Sequence, residues 1–182
     1  MPYNIIKPVR HVVSFTVDHN HLKRPPPFGS HPPEPVDLCV VKRTSLSLCS
    51  LRERWTYQKV RWCCPPKHLV LDFELQEIPL PQGGTIARRV GRTLCIADKV
   101  HYNMVDLDSA MIFPLIPLSQ AEDTSVAIKP FITVVSDNEF LLLSWTGSGT
   151  IGVFLSTDGD PTRGTLEWPC HPESICKFRT IM

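Results

Sequence analysis

The feature that most constrains this chain is a series of short segments in which apolar and polar residues alternate with a period of two. Such alternation places successive side chains on opposite faces of a β-strand. Turn clusters such as Ser136-Asp137-Asn138 separate the segments, and strands at roughly 8–12-residue spacing are typical of all-β sandwiches, barrels and propellers. The sequence therefore predicts an all-β antiparallel meander with strands over Val12–Val17, Val36–Val41, Leu46–Leu51, Thr93–Ala97, Val100–Val105, Phe131–Val135, Phe140–Trp145, Thr150–Leu155 and Gly164–Trp168.

Length, charge and cysteine usage narrow the class of protein. The 182 residues suffice for one domain with a core, and the net charge of +1 gives no reason to expect a nucleic-acid partner. Met1–Val17 lacks the apolar run of a signal peptide, and Pro114 and Pro117 interrupt the apolar stretch Met111–Leu118. The seven cysteines, odd in number and without a C-x-x-C pair, fit reduced thiols. We therefore expect a soluble, cytoplasmic protein with no membrane span.

The segment Gly147–Gly152 (GSGTIG) matches the dinucleotide-binding pattern G-x-G-x-x-G. That pattern binds a pyrophosphate only where a strand precedes it and a helix begins at it. Here the turn residues Asp158–Pro161 follow too soon for a helix, and Thr150–Leu155 alternates with a period of two. We therefore predict a hairpin with its turn at Thr146–Gly149, and we keep a small nucleotide-binding oxidoreductase as an alternative function.

Other residues of the types that carry chemistry do not form a recognisable site. His19, His21 and His31 share a proline-rich loop, where solvated polar residues are more common than a metal site. Cys170 and His171 are neighbours, and neighbouring residues of an extended chain point to opposite faces. The sequence therefore predicts a non-enzymatic protein with no catalytic residues, no cofactor and no metal.

The stretch around the glycine-rich hairpin carries a family resemblance. The letters EFLL at Glu139–Leu142 precede GVF at Gly152–Phe154, and GDPTRGTLEWP follows at Gly159–Pro169. This succession resembles the citron homology (CNH) domain, and Thr93–Ala97 (TLCIA) fits the same pattern upstream. Within that family the chain resembles the vacuolar-sorting subunits of the HOPS and CORVET tethering complexes and the TGF-β receptor-associated protein family. The family-motif residues, for which we predict a structural role, are Glu139, Phe140, Gly152, Phe154, Gly159, Pro161, Arg163 and Trp168.

The resemblance implies a β-propeller of four-stranded blades that acts as a non-enzymatic protein-interaction domain of a vesicle-tethering subunit. Its partners would be Rab-class small GTPases and other tethering-complex subunits, and it would lie peripherally on endosome and vacuole membranes during endosome-to-vacuole or lysosome trafficking. A CNH regulatory domain of a GTPase-linked kinase or exchange factor is a second alternative. The chain holds about half the strands of a whole family domain, so we predict one partial CNH domain, a partial β-propeller, over residues 1–182. The large aromatic residues Phe154 and Trp168 are expected to be at least partly buried.

Residues 19–35 and 60–76 interrupt the meander, and residues 60–76 and 176–182 depart from the family pattern. Residues 19–35 are proline-rich and predict an exposed, solvated connecting loop, and binding of P-x-x-P at Pro32–Pro35 to an SH3-like groove is kept as the alternative. Residues 60–76 are predicted to be an insertion, either an ordinary loop or an intron retained in frame, because we expect no partner strand for the apolar residues Leu69–Leu71 and Phe73. Residues 176–182 form an atypical end that lacks the aromatic strand of the family.

Overall fold

The computed structural model describes residues 11–17, 36–56, 68–122 and 127–175. Over these residues the chain is all β, with no helix, as the period-two alternation predicts. The strands are β1 (Val12–Val17), β2 (Val36–Lys42), β3 (Ser45–Thr56), β4 (His68–Pro79), β5 (Ile86–Val90), β6 (Thr93–Ala97), β7 (His101–Asp106), β8 (Ile112–Pro117), β9 (Ile132–Ser136), β10 (Glu139–Trp145), β11 (Thr150–Ser156) and β12 (Leu166–Trp168).

The described strands form three antiparallel sheets of four strands each. The first sheet contains β1–β4, the second β5–β8 and the third β9–β12, and in each sheet consecutive strands are hydrogen-bonded neighbours. The predicted antiparallel meander is therefore confirmed. The first strands of the three sheets lie side by side, β1 against β5 and β5 against β9, so the sheets stack in chain order around these strands. Within the described ranges the three sheets do not close into a ring, and a closed propeller is not formed by them.

Two apolar clusters hold the three sheets together, because the second sheet is buried on both faces. In β6, Leu94 and Ile96 face the first sheet, whereas Cys95 and Ala97 face the third. Because successive side chains of a strand point to opposite faces, β6 contributes apolar side chains to both clusters. The first cluster joins Cys39, Val41, Leu46, Leu48, Ile78 and Leu80 to Ala87, Leu94, Ile96, Val105 and Leu107. The second joins Val90, Cys95, Ala97, Tyr102 and Met104 to Leu118, Ile132, Phe140, Leu142 and Leu155.

The long strand β4 corrects one expectation about residues 60–76. Strand β4 pairs with β3 over its whole length, from His68 opposite Thr56 to Pro79 opposite Ser45. The expectation that Leu69–Leu71 and Phe73 have no partner strand is therefore wrong. The physical reason is that β3 continues past the predicted end at Leu51, so a second strand has backbone groups to pair with. That residues 60–76 are an insertion stays a prediction.

Several predicted segments lie outside the described residues. They include the proline-rich segment 19–35, with its three histidines and its P-x-x-P motif, and the atypical end 176–182. The connection between β3 and β4, residues 57–67, lies outside them as well. Predictions about these segments stay predictions.

Candidate interaction surfaces

The glycine-rich segment is a hairpin turn between β10 and β11. The Thr146 N–H donates to the Gly149 carbonyl at 2.8 Å, and the Gly149 N–H donates to Thr146 Oγ1 at 3.2 Å. Gly147 has a φ of +100°, a backbone conformation that favours glycine. The predicted hairpin is confirmed. Gly152 lies within β11, so no helix begins at these glycines, and the phosphate-binding interpretation lacks the structure that it needs.

Family-motif residues meet on the outer face of the third sheet, which we define as the face opposite the second sheet. Arg163 donates from Nε and Nη2 to the two carboxylate oxygens of Glu139, at 2.8 and 2.6 Å, and Thr162 Oγ1 donates to the same carboxylate. The Glu139 side chain is only 4% exposed, so this bidentate pair supplies the charge partner that a buried carboxylate needs. The Arg163 guanidinium also lies 4.9 Å from the centre of the Phe154 ring. These contacts fix the turn after β11 against β10.

Gly152 and Trp168 form a second contact on this face. A Cβ at Gly152 would lie 2.8 Å from the Trp168 ring and 3.1 Å from Leu141 Cδ1, so the close approach of the indole requires glycine. Phe154 is buried and Trp168 is half-buried, as expected from the sequence. Five family-motif residues are thus brought together on the outer face.

The other three family-motif residues lie elsewhere. Phe140 is fully buried in the cluster between the second and third sheets. Gly159 has a φ of +91° and comes close to Phe113 and Leu115 of β8, and Pro161 forms an isolated bridge with Leu155. The assignment of all eight residues as structural family positions stays a prediction.

The His171 imidazole docks the end of the described chain on the third sheet. Its Nε2 donates to the Lys129 carbonyl at 2.8 Å, and its Nδ1 lies 3.1 Å from Thr150 Oγ1. Its ring also contacts that of Phe131, with ring centres 5.6 Å apart. Both ring nitrogens are therefore engaged by residues other than the neighbouring Cys170.

An open groove of about 530 Å³ lies beside the turn between β6 and β7. The Asp98 carboxylate builds this turn, because it accepts hydrogen bonds from the N–H groups of Val100 and His101 at 2.6 and 2.7 Å. The turn presents Lys99 and Val100 to solvent, and Val100 is 57% exposed. The apolar part of the lining comes from Val100, Leu118, Ala121, Ala127, Ile128 and Pro130. The groove therefore has an apolar lining next to the exposed ammonium group of Lys99.

Burial favours the neutral form of two titratable groups in the second sheet, the Cys95 thiol and the Tyr102 hydroxyl. Desolvation raises the pKa of the Cys95 thiol, and it raises the pKa of Tyr102 to about 12. A thiol in this state is a poor nucleophile at neutral pH. In the described part of the chain, no group of three or more His, Cys, Asp or Glu residues is placed to hold a metal ion. No helix among the described residues is long and apolar enough to cross a membrane.

The chain is similar in sequence to vacuolar protein sorting-associated protein 3 of Schizosaccharomyces pombe. The two are 30% identical over 92 residues, which make up 49% of this chain and 10% of that protein. The chain thus matches about a tenth of the length of this relative. No family model and no solved structure matches the chain. The similarity supports a relationship to vacuolar sorting proteins, and assignment to the CNH family stays a prediction.

Proposed function

We propose that this chain is a non-enzymatic protein-interaction domain of a vesicle-tethering subunit, which acts in endosome-to-vacuole trafficking through Rab-class GTPases. The observation that carries the proposal is the similarity to a vacuolar protein sorting-associated protein. The fold is compatible with it, because stacked four-stranded sheets form a scaffold whose turns present contact residues. We propose that its partners are the GTPase and other tethering subunits, on endosome and vacuole membranes.

The groove beside the β6–β7 turn is the surface that we assign to the GTPase. Val100 gives it an exposed apolar residue, and Lys99 places a cation at its rim. Hydrogen bonds to Asp98 fix the turn, so little conformational entropy is lost when a partner binds there. An apolar contact flanked by a carboxylate on the GTPase would fit this groove.

Binding of the purified chain to a panel of Rab-class GTPases tests the proposal. Each GTPase is loaded with GDP or with a non-hydrolysable GTP analogue, and binding is followed by biolayer interferometry. We expect saturable binding to at least one member, with at least about tenfold preference for the GTP form, which corresponds to about 1.4 kcal/mol. Absence of binding throughout the panel, or equal affinity for the two nucleotide states, would contradict the proposed function.

A matched pair of substitutions tests the groove separately. Val100→Asp should weaken binding by about tenfold or more, because it buries a charge in an apolar contact. The control is Met111→Asp, which changes a residue that is 65% exposed in the turn between β7 and β8. If Val100→Asp binds as well as the control, the GTPase binds elsewhere on the chain. Titration with NAD(H) or ATP tests the nucleotide-binding alternative, for which we expect no saturable binding.

A further inference from the structure

Turns of the second and third sheets meet at one end of their strands. The Leu107 N–H donates to the Arg92 carbonyl at 2.9 Å, which ties the β7–β8 turn to the β5–β6 turn. In the third sheet, the Thr157 N–H donates to the Asn138 carbonyl at 3.1 Å, which ties the β11–β12 turn to the β9–β10 turn. Gly159 of the β11–β12 turn lies against β8 and so connects the two sheets. These turns therefore form one continuous surface, made of residues 91–92, 107–111, 137–138 and 157–161.

An apolar patch lies within this surface, where β8 begins. Met111 is 65% exposed, more than any other large apolar side chain in the described part of the chain. The Asp106 N–H donates to the Met111 carbonyl at 3.0 Å, so the ladder with β7 extends to Met111, and alternation places its side chain on the same face as Phe113. Phe113 is only partly buried, and a Cβ at Gly159 would lie 3.3 Å from its ring. We call Met111 and Phe113 the β8 patch.

Asp158 and Asp160 flank Gly159 beside the β8 patch. Both residues are exposed, and neither carboxylate has a hydrogen bond or an ion pair with another described residue. Arg163, the next cation along the chain, does not neutralise them, because it forms the bidentate pair with Glu139. The surface thus combines an exposed apolar patch with carboxylates that lack a counter-charge among the residues that the structure describes.

The turn that carries these carboxylates is ordered before any partner binds. Ser156 Oγ accepts from the N–H groups of Asp158 and Asp160 at 3.1 and 3.2 Å. The Gly159 N–H donates to the Ser156 carbonyl at 3.1 Å, and Gly159 has a φ of +91°, which favours glycine. Little backbone entropy is therefore lost when a partner contacts this turn.

We propose that this surface binds a short basic segment of a partner protein. An apolar side chain of the segment packs on the β8 patch, and lysine or arginine residues beside it pair with Asp158 and Asp160. Charge selects this occupant over two others. An anionic membrane would be repelled by the carboxylates, and a second copy docked through the same surface would bring carboxylates face to face.

This surface and the groove that we assign to the GTPase lie at opposite ends of β7. Val100 of the groove comes directly before the first residue of β7, whereas the β7–β8 turn follows its last residue, Asp106. Both sites can therefore be occupied at the same time. Binding of the basic segment does not depend on binding of the GTPase.

Fluorescence anisotropy with the full 182-residue chain tests this proposal. The probe is a fluorescein-labelled peptide that repeats Lys-Leu-Arg. The comparison peptides repeat Lys-Ser-Arg, which lacks the apolar side chain, and Glu-Leu-Glu, which reverses the charge. We expect saturable binding of the Lys-Leu-Arg peptide, weaker binding of the Lys-Ser-Arg peptide and no binding of the Glu-Leu-Glu peptide.

A pair of double variants tests the charged part of the contact. Asp158→Ser combined with Asp160→Ser should weaken binding of the Lys-Leu-Arg peptide by about threefold to tenfold, as expected for the loss of two exposed ion pairs. The control combines Glu122→Gln with Glu173→Gln, which removes the same charge from exposed residues at the other end of the strands. This control should bind the peptide as the wild type does.

A pair of single variants tests the apolar part. Met111→Gln keeps the length of the side chain and should weaken binding by about threefold or more, since it removes apolar surface from the contact. Val100→Thr makes a similar change at the groove, at a residue that is 57% exposed, and should leave peptide binding unchanged. Far-UV circular dichroism shows whether each variant retains its β structure.

The results that would overturn the proposal are distinct. Equal weakening by the two double variants would show that the peptide responds only to the net charge of the chain. Equal affinity for the Lys-Leu-Arg and Lys-Ser-Arg peptides would show that the β8 patch makes no contact. Absence of saturable binding to the wild-type chain also overturns the proposal, and would mean that the β8 patch is covered by something other than a basic segment.

Discussion

Tyr102 ties the second sheet to the third, and removing its hydroxyl is the sharpest perturbation of the fold. The fully buried side chain donates to the Leu143 carbonyl at 2.7 Å and accepts from the Phe131 N–H at 2.9 Å. Leu142 pairs with Ile132, so Leu143 and Phe131 would be the next pair of the β9–β10 ladder. The Tyr102 hydroxyl stands between these two backbone groups and bridges them.

Tyr102→Phe keeps the aromatic ring and leaves the two backbone groups without the hydroxyl. An unsatisfied buried donor or acceptor costs about 1–3 kcal/mol, so the two together predict a loss of about 2–4 kcal/mol after some relaxation. For a chain of this size, 1 kcal/mol corresponds to about 2–4 °C in Tm. We therefore expect Tm to fall by about 4–16 °C.

Urea denaturation and differential scanning calorimetry measure this loss. Thr85→Val is the matched control, because the Ala97 carbonyl that accepts from Thr85 Oγ1 at 3.0 Å also accepts from the Thr85 N–H at 2.8 Å. That substitution leaves no orphaned carbonyl and should cost less than about 1 kcal/mol. A loss from Tyr102→Phe no larger than that of the control would show that the hydroxyl bridge is not needed, since Phe131 and Leu143 would then pair directly.

Three further predictions follow from the described contacts. Burial raises the pKa of Tyr102 from 10.0 to about 12, so the stabilisation by its neutral hydroxyl is present below pH 10 and is lost as the pH rises towards 12. The difference in free energy of unfolding between wild type and Tyr102→Phe, measured by urea titration, should therefore shrink between pH 10 and pH 12. Gly152→Ala should cost about 1–3 kcal/mol in urea denaturation, because its Cβ would meet the Trp168 ring, whereas Gly164→Ala meets nothing within 4 Å and should be neutral. Deletion of residues 60–76 removes most of β4 and should abolish cooperative unfolding, and a deletion variant that unfolds cooperatively would show that the segment is dispensable.

The period-two pattern of the sequence predicts the meander well, including β6 and β10, which bury side chains on both faces. It fails at β8, because Pro114 and Pro117 argue against a strand. The structure accommodates both prolines because β8 is the edge strand of the second sheet. At an edge strand, a proline in place of a residue whose N–H points away from the neighbouring strand removes no hydrogen bond of the ladder.

The pattern also fails at β5, where Arg88 and Arg89 occupy successive positions. Arg89 is only 1% exposed, and its Nε donates to the Gly91 carbonyl at 2.6 Å. A buried arginine runs against the usual burial of residue types, so hydropathy does not indicate this strand.

The groove beside the β6–β7 turn could not be predicted from spacing along the chain. Lys99 and Val100 come from this turn, whereas Ile128 and Pro130 precede β9, and only the packing of the second sheet on the third brings them together. The hairpin at Thr146–Gly149, by contrast, depends on local residues and was predictable because turn chemistry acts within a few residues.

The vacuolar-sorting role that we propose for this chain can be measured by where a soluble vacuolar hydrolase accumulates when the gene for the chain is disrupted. We expect secretion of the hydrolase into the medium, with retention restored when the wild-type gene is returned. Normal delivery of the hydrolase to the vacuole in the disrupted strain would rule out the proposed role.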